Sequence, residues 1–464
     1  MSSSTTIPAS SSVGIDQDDM DLARTTMRRV SLRLLPFLFL IYIFNFLDRT
    51  NVAIAALQMN RDLHFSATAY GFGAGIFSLG YALFEVPSNL VLARVGARFW
   101  ISRIMITWGL VAAAMMFVRT PIQFYSLRFL LGVAEAGFFP GIVYYLSGWF
   151  PAAQRASALS RFLIAIPLSG AIGNPLSAWL LELDGLRGLA GWQWLFLLEG
   201  IPPVLLGFAV LAFLPDHPAG SRWLSVEQRD WLTARLRRDA DESPTPDEVP
   251  PLRALMLPML WLASLPYFLI ITTQYGYTFW APTMIRDALQ ASNTTTGLIT
   301  GGIACVAAGM MLAVGASSDR TGERYFHASG CAVLAAVGCV SAALLPHPLA
   351  RVAGLALVPV GVYGFYPPFW CLPTALLRGT AAAAGIALVG SLGHVGGFVG
   401  PYVVGLLTDT TGGTSGALLG LGCLSLGAAA LCLVLRRQAG VRFQRPPQCR
   451  AAESRIHSSS EGSA

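Results

Sequence analysis

Long apolar stretches, separated by short polar ones, follow one another along almost the whole chain. A helix needs about 20 mainly apolar residues to cross a bilayer, and twelve stretches reach roughly that length. They lie at about 32–57, 67–92, 99–118, 123–148, 158–182, 192–214, 257–281, 295–315, 327–345, 352–376, 382–407 and 415–435. The pattern predicts an all-α membrane protein with twelve transmembrane helices.

The polar stretches predict the domain boundaries. We expect a disordered cytoplasmic tail at 1–30, a six-helix bundle at 31–215, a cytoplasmic linker at 216–256, a second six-helix bundle at 257–437 and a disordered cytoplasmic tail at 438–464. Within the linker, Ser225 and Gln228 have the spacing of a helix capping box. They predict an amphipathic helix that continues to about Arg238 and lies along the inner membrane surface.

The two halves of the chain match each other at a fixed offset. Residues 93–98 match residues 319–324, which lie 226 positions later, with arginines and a glycine in the same places. Gly170 and Pro175 match Gly396 and Pro401 at the same offset. These matches indicate two pseudo-symmetric bundles. Repeats of this kind place a substrate site near the membrane midplane between the halves, which then rock against each other in alternating access.

Composition narrows the class of protein. Only 12% of the residues are charged, against about 25% in soluble domains, which excludes a soluble protein. All 31 basic residues are arginines, and most lie in the tails and in the loops on one side. This asymmetry predicts that both termini are cytoplasmic, in a multi-pass protein of the cell inner (plasma) membrane. The arginines are spread over many short loops, so they do not indicate a nucleic-acid partner.

Two arginines lie inside spans, each with an acid nearby. Arg49 follows Asp48 in the middle of the first span, and Arg128 lies seven residues before Glu135 in the fourth. Each such charge costs about 2.5–3.5 kcal/mol at a helix centre, so charges at this depth are by default functional. A mutually neutralised structural pair is the alternative. Asn45 and Arg49 share a helical face with Tyr42.

Several short motifs carry a family resemblance. They lie at 47–51, 131–141, 191–200, 214–216, 384–387 and 396–402, and the loop repeat supplies another pair. Together they resemble the major facilitator superfamily and, more closely, its anion:cation symporter family, which includes bacterial tartrate, phthalate and sugar-acid permeases. The resemblance implies two six-helix bundles and proton-coupled uptake of a small organic carboxylate such as tartrate, phthalate, an aromatic acid or a sugar acid.

The loop repeat resembles the gating motif of the superfamily. Its residues are Arg94, Gly96 and Arg98 in the first copy and Asp319, Arg320, Gly322 and Arg324 in the second. The first copy has Ala93 where the family usually has aspartate, which would weaken an inner-gate charge contact.

The candidate site follows from the charges and from the resemblance together. An arginine fork binds a carboxylate through two parallel hydrogen bonds and keeps its proton, so our hypothesis is that Arg49 binds the substrate. Asp48 and Glu135 would carry protons, with Arg128 as the partner of Glu135.

Further residues would complete the substrate pocket, and some have structural alternatives. The proposed pocket residues are Tyr42, Asn45, Tyr81, Gln274, Trp370 and His394. Tyr81 could equally pack at a helix interface. His394 stands where the family usually has asparagine, and it would either contact a second carboxylate, or titrate, or form a neutral hydrogen-bonding residue of the core. Glu85 and Glu199 are interpreted as structural acids near span ends.

Other functions remain as alternatives. An exporter or antiporter of organic anions would have the same fold, and a membrane sensor of a ligand would bind without transport. An enzyme is not expected, because no metal-ligand cluster, nucleotide loop or activated nucleophile is evident; the seven cysteines read as small buried hydrophobes. We expect no cofactor and no metal, a small organic anion and H⁺ as ligands, a lipid bilayer as the surroundings, and function as a monomer.

Overall fold

The computed structural model describes residues 17–241, 258–376 and 379–442. This part of the chain is almost entirely helical, with four short 3-10 turns between helices. Its α-helices are α1 (Gln17–Asp62), α2 (Ala67–Val95), α3 (Ala97–Ala114), α4 (Pro121–Glu135), α5 (Phe138–Ser147), α6 (Ala152–Leu163), α7 (Ala165–Leu180), α8 (Gly191–Phe213), α9 (Val226–Asp241), α10 (Pro258–Leu289), α11 (Asn293–Thr321), α12 (Tyr325–Leu344), α13 (Pro348–Leu376), α14 (Gly379–Thr411) and α15 (Ser415–Arg442).

The predicted twelve-span fold is confirmed, with two spans broken into pairs of helices. Span four consists of α4 and α5, and span five of α6 and α7. Within the described residues, ten helical stretches are long and apolar enough by themselves to cross a membrane. The other two are span five, whose second helix α7 has only 16 residues, and span seven, α10, whose hydropathy is lowered by a polar centre at 272–274.

Two predicted boundaries need correction, because the tails expected at 1–30 and 438–464 both include helical residues: α1 begins at Gln17 and α15 ends at Arg442. Residues 17–30, expected to be disordered, form the first turns of α1, where Met27 and Val30 are buried. In the linker, Ser225 and Gln228 do form the capping box, with reciprocal hydrogen bonds of 3.2 and 3.3 Å. The apolar side of α9 packs on the first bundle, with Leu232 fully buried. Residues 1–16, 242–257 and 443–464 lie outside the described part.

The helices of the two halves contact one another in equivalent pairs. In the first half α3 packs on α8, α2 on α4 and α1 on α7, and in the second half the matching contacts are α12 on α15, α11 on α13 and α10 on α14. The bundles touch each other mainly through α2 with α14 and α7 with α11. These two contacts are themselves related by the repeat, so the pseudo-symmetry extends to the interface.

We call the membrane face where α8 ends and α9 follows the linker side, and the opposite face the far side. On the far side the bundles meet through a duplicated glycine pair. Gly71 and Gly75 of α2 approach the backbone of Pro401 and Phe398 in α14, where an added Cβ would lie 2.3 and 2.6 Å from carbonyl oxygens. This spacing of small residues lets helix backbones meet closely in a membrane.

The equivalent contact in the other half is formed by glycines at the equivalent positions of the repeat. Gly297 and Gly301 of α11, 226 positions after the first pair, lie against Asn174, Pro175 and Ala178 of α7. Because both interfaces lack room for a side chain, they close the far side of the protein.

Polar contacts reinforce this closure. The Asp409 carboxylate on α14 accepts hydrogen bonds from the first backbone N–H groups of α2, Ala67 at 3.1 Å and Thr68 at 2.7 Å. Arg286 of α10 donates to the Leu57 carbonyl near the end of α1 at 2.6 Å. An anion at a helix N-terminus and a cation near a C-terminus are both favourable.

A leucine in place of Gly71 or Gly297 should hold the far side open. Overpacking costs about 1–3 kcal/mol, which would shift the equilibrium away from the far-side-closed state by about fivefold or more. A cysteine placed at Thr50, in a variant without the native cysteines, should then react correspondingly faster with an impermeant maleimide added on the far side. Gly302→Leu is the control, since nothing lies within 4 Å of a Cβ at that position. Equal labelling rates in all three variants would contradict this account of closure.

Candidate functional site

The centre of the site is an ion pair between the first and fourth spans. The Arg49 Nε group donates a hydrogen bond to Oε1 of Glu135, and Asn45 Nδ2 donates to the same oxygen at 2.7 Å. All three side chains are buried. The pair therefore neutralises two charges that would each be costly at this depth.

A break in the fourth span places Glu135. The residue is the last of α4, and Gly137, with φ +84°, separates α4 from α5. A side chain at Gly137 would have a strained backbone, and its Cβ would lie 2.5 Å from Ser88 Oγ on α2. Gly132, one turn before Glu135, lets α4 touch the backbone of α2 at Phe77. The glycines of the 131–141 motif thus fix where the carboxylate lies.

One atom on each side of the ion pair has no protein partner. Arg49 Nη2 and Glu135 Oε2 are buried, and neither has a hydrogen-bond partner among the residues that the structure describes. The guanidinium carbon of Arg49 lies 4.6 Å from the ring centre of Tyr81 and 5.4 Å from that of Phe77. The arginine is therefore held between aromatic rings while part of its donor fork stays available to a ligand.

Arg128 forms no direct ion pair with Glu135 among the described residues, so the predicted contact is corrected. Arg128 instead donates to the backbone carbonyls of Gly73 and Ala74 on α2, at 3.4 and 3.1 Å. Its guanidinium carbon lies 5.0 Å from the Phe77 ring centre. Seven residues place two side chains on one helical face but about 10 Å apart along the axis, so the shared face does not bring Arg128 into contact with Glu135. Arg128 therefore ties α4 to α2.

Asp48 points away from Arg49 and into the first bundle. Trp108 Nε1 donates to its Oδ2 at 2.7 Å, and Asn51 lies 3.4 Å from its Oδ1. The same Asn51 amide donates to Glu199 at 2.9 Å, and Ser177 donates to the other oxygen of Glu199 at 2.7 Å. Two carboxylates, each at most 2% exposed, are thus joined by neutral donors.

The interpretation of Glu199 as an acid near a span end is therefore corrected. It lies eight residues inside α8, in one network with Asp48. One signal could have indicated this, because Asn51 is three residues from Asp48 and shares its face of α1. No sequence pattern shows that α8 brings Glu199 to that face.

Tyr42 lies one turn from Asn45 but belongs to an aromatic cluster. Its ring is stacked on Phe162 at 4.4 Å and lies 5.9 Å from Phe139. The ring is 4% exposed. The shared face with Asn45 and Arg49 is present, but the structure gives Tyr42 a packing role in this state.

The second bundle offers polar and aromatic groups. Gln274 accepts a hydrogen bond from the Tyr366 hydroxyl, and the Tyr267 ring lies 5.0 Å from that of Trp370. Tyr267 also packs against the helix that carries His394, through Gly393. Sequence reasoning missed Tyr267, although it precedes Gln274 by seven residues and so shares its face of α10.

The repeat shows which residues of the second bundle stand at the positions of Asp48 and Arg49. Gln274 and Tyr275 stand 226 positions after Asp48 and Arg49, so they occupy the equivalent places in the first helix of the second bundle. The first bundle therefore has charged residues at these two positions, and the second bundle has neutral hydrogen-bonding residues there.

His394 contacts the first bundle. Its Nε2 lies 3.5 Å from Glu85 Oε2 on α2, and its ring centre lies 4.8 Å from that of Tyr81. Tyr81 is therefore in contact with both Arg49 and His394, which fits both of its predicted roles. Glu85 has a partner in the opposite bundle and is more than a structural acid at a helix end.

A small, mainly apolar cavity of about 70 Å³ lies between the bundles beside α1. Phe46 and Thr50 line it from α1, Gly170 from α7, and Tyr277 and Tyr363 from the second bundle. Arg49, on the neighbouring face of α1, is not in its lining. The charged cluster is separate from this cavity in the state that the structure describes.

Comparison with known proteins gives the family. The profile of the Major Facilitator Superfamily matches residues 38–401. This chain belongs to that superfamily. It is similar to a protein of Agrobacterium vitis named as a tartrate transporter, with 46% identity over 422 residues, 90% of this chain and 96% of the relative. It is also similar to the metabolite transport protein NicT of Pseudomonas putida, with 42% identity over 90% and 97% of the two chains.

Another relative is named for drug resistance and not for a metabolite. A quinolone resistance transporter of Acinetobacter baumannii is 39% identical over 88% of this chain and 94% of its own. Among solved structures, a bacterial homologue of the human lysosomal transporter Spinster superposes with a TM-score of 0.77 at 18% identity, over 90% of this chain and 99% of the other. The superfamily consists of transporters, so this chain is a multi-pass membrane transporter and not an enzyme.

The two copies of the superfamily's loop motif form different contacts here. In the second copy Arg324 forms an ion pair with Asp319 at 2.7 Å, around Gly322 at φ +67°. In the first copy, where Ala93 replaces the acid, Asp216 accepts from the Arg98 backbone N–H at 2.9 Å, and the Arg98 guanidinium donates to the Leu211 carbonyl. An acid just beyond span six therefore binds the first copy through the backbone of Arg98, whereas the acid of the second copy binds a guanidinium.

The remaining residues of the motif make turns or face outward. Gly96, at φ +92°, forms the turn between α2 and α3. Arg94 and Arg320 are exposed. Their predicted role in gating stays a prediction.

Replacing Ser177 with alanine should destabilise the MFS transporter more than the same change at Ser169. Ser177→Ala removes a donor from the buried Glu199, which should cost about 1–3 kcal/mol. Ser169 lies on the same helix and is equally buried, but it donates only to a carbonyl of its own helix, Ile166, at 2.6 Å. Unfolding of the purified variants in detergent measures the difference. Equal losses of stability would mean that the bond to Glu199 contributes nothing particular.

Proposed function

We propose that this transporter takes up a small organic carboxylate together with protons, by alternating access. The observation that carries the proposal is the buried Arg49–Glu135 pair with an unpartnered atom on each residue. A substrate carboxylate and the Glu135 carboxylate are chemically equivalent partners for the same guanidinium. They compete for Arg49, and the competition is decided by a proton.

Protonation of Glu135 would release Arg49 to the substrate. A neutral acid no longer balances the arginine charge, and an unbalanced charge at this depth is costly. A substrate carboxylate then supplies the missing negative charge through two parallel hydrogen bonds. Loss of the proton on the other side restores the internal pair and expels the substrate. Proton and anion are thereby coupled in the same direction.

Asp48 and Glu199 would form a second place for protons. Two ionised carboxylates joined only by Asn51 and other neutral donors would be unstable in a membrane interior, because buried charges need a counter-charge. We propose that this network holds at least one proton. Asp48 keeps its proposed proton-carrying role, and Glu199 joins it.

The proposal includes location and topology. The arginine asymmetry supports a cytoplasmic linker side, with both termini in the cytoplasm, and we propose the cell inner membrane as the location. The far-side contacts of α2 with α14 and of α7 with α11 would separate when the carrier opens outward. We propose that the carrier functions as a monomer.

The names of the relatives support a carboxylate substrate and leave one alternative function. The relative at 46% identity is named for tartrate, and proton-coupled uptake of such an anion fits Arg49. The relative at 39% identity is named for quinolone resistance, which favours an exporter or antiporter as the second candidate. The direction of substrate movement under an imposed proton gradient distinguishes the two.

Uptake into proteoliposomes with an inward proton gradient tests the proposal. Arg49→Gln should weaken substrate binding by about 100-fold, because removal of one partner of a buried charge pair costs about 2–5 kcal/mol. Glu135→Gln should retain exchange of labelled for unlabelled substrate but lose accumulation driven by the gradient. The exposed Glu227→Gln on α9 serves as the control.

The outcomes separate the parts of the proposal. Full gradient-driven accumulation in both Asp48→Asn and Glu135→Gln would show the proton assignment to be wrong. Unchanged uptake in Arg49→Gln would remove the substrate assignment. Substrate leaving the vesicles as protons enter would favour the antiporter.

A further inference from the structure

A cleft outside the transport site lies on the linker side, between the first bundle and α9. Its volume is about 640 Å³. A second cleft of about 320 Å³ adjoins it, since Ala219, Thr233 and Arg237 line both. We call the two together the linker cleft. Ligand pockets usually have volumes of about 300–1,000 Å³, so the linker cleft has room for a small molecule or a lipid headgroup.

The linker cleft has walls from three separate parts of the chain. Ser147 at the end of α5 and Arg155 of α6 form one wall. His217, in the turn before α9, forms another, and α9 contributes Arg229 and Arg237. The basic side chains therefore meet through the tertiary structure and do not form one run of charge along a helix.

Two of these arginines have buried N–H groups without a partner. The Nε atoms of Arg155 and Arg229 are buried, and neither has a hydrogen-bond partner among the described residues. Arg155 Nη2 donates to the Ser147 carbonyl over a long distance of 3.4 Å. A guanidinium has five N–H donors, and buried polar groups are normally hydrogen-bonded. The unused donors therefore indicate a ligand that supplies acceptor oxygens.

The acids beside the linker cleft do not cancel its charge. Among the described residues its lining contains three arginines and two acids. One of the acids, Asp239, already accepts from Arg235 at 3.2 Å, an arginine that is not part of the lining. The other, Asp230, is exposed at the adjoining end. The net charge of the lining favours an anion.

The position of the linker cleft indicates which anion reaches it. Ser147 lies at the end of the fourth span, and α9 packs against the first bundle where the sixth span has ended. Both walls are thus at the level of the lipid headgroups. Basic pockets at this level bind the phosphates of anionic lipids.

We propose that the linker cleft binds a phosphate group, with Arg155 and Arg237 as its ligands from opposite walls and Arg229 at the adjoining end. Guanidinium forks bind phosphate oxygens through paired, charge-assisted hydrogen bonds. An anionic lipid of the bilayer and a soluble phosphate compound carry the same group. The site is distinct from Arg49 and its ion pair, so it does not depend on the identity of the transported substrate.

A bound phosphate would join α9 to α6. Within α6, Phe162 stacks on Tyr42 of α1 at 4.4 Å, and Tyr42 lies one turn before Asn45, which binds Glu135. Occupancy of the linker cleft would therefore hold the linker against the first bundle and stabilise the helix that carries the ion pair.

Thermal unfolding of the purified transporter in detergent tests this proposal. Phosphatidylglycerol should raise the unfolding midpoint more than phosphatidylcholine, whose choline cation offsets the phosphate. The mole fraction of phosphatidylglycerol that gives half of this effect should rise by about tenfold or more in Arg155→Gln and in Arg237→Gln, because each loses charge-assisted hydrogen bonds. Arg238→Gln is the matched control, since it removes the same charge from the next residue of α9, which is not in the lining.

Glycerol 3-phosphate and inorganic phosphate distinguish the two sources of the group. Stabilisation by phosphatidylglycerol alone would assign the linker cleft to a lipid, whereas equal stabilisation by glycerol 3-phosphate would assign it to a soluble compound; both depend on Arg155 and Arg237.

Three results would overturn the proposal. They are stabilisation by none of the phosphate compounds, an unchanged half-effect in Arg237→Gln, and an equal weakening in Arg238→Gln, which would mean a diffuse effect of surface charge. Arg237 is exposed, so its variant gives a result even where Arg155→Gln folds poorly.

Discussion

The ion pair of Arg49 and Glu135 is the constraint on which the rest of the site depends. In a low-dielectric interior neither charge is tolerable without the other, and removal of one partner from such a pair typically costs about 3–5 kcal/mol. Neighbouring residues position and enclose this pair. Gly137 ends α4 at the glutamate, and aromatic rings enclose the arginine. Asn45 occupies one carboxylate oxygen and leaves the other free. Because the pair is stable only while both members are charged, protonation of Glu135 would break it. The contact that stabilises the two buried charges could then also couple proton movement to substrate movement.

The first bundle keeps its acids in two separate environments. Glu135 is paired with a cation, whereas Asp48 and Glu199 receive only neutral donors. Under the proposed function, the first environment responds to the substrate, because an arginine can change partners. The second would respond to protons, because its hydrogen bonds within the described part of the chain come from neutral donors. Arg128, expected to belong to the first environment, holds α2 and α4 together through backbone carbonyls.

The scaffold is symmetric and the chemistry is not. Gly71 and Gly75 have their counterparts in Gly297 and Gly301, and both pairs close the far side against the opposite bundle. Asp48 and Arg49, in contrast, correspond to Gln274 and Tyr275. Close packing of backbones needs small residues at both interfaces, so the repeat preserves them. One charged half-site is enough to bind an anion, and a second would carry further desolvation cost.

The sequence by itself determined the twelve spans, the duplicated bundles, the capping box of α9 and the presence of a charged cluster on the first span. Each of these follows from properties local to a segment: apolar length, residue spacing and the cost of a charge in a membrane. The tertiary structure alone decided which acid meets which base. Asp48 and Arg49 are neighbours in the chain but point to different partners, since consecutive helical residues are turned by about 100°. Glu199 and Glu85 acquired their roles only through α8 and α14, which bring distant side chains together. Helical periodicity predicts which residues share a face, but only the packing of the helices determines which residues that face contacts.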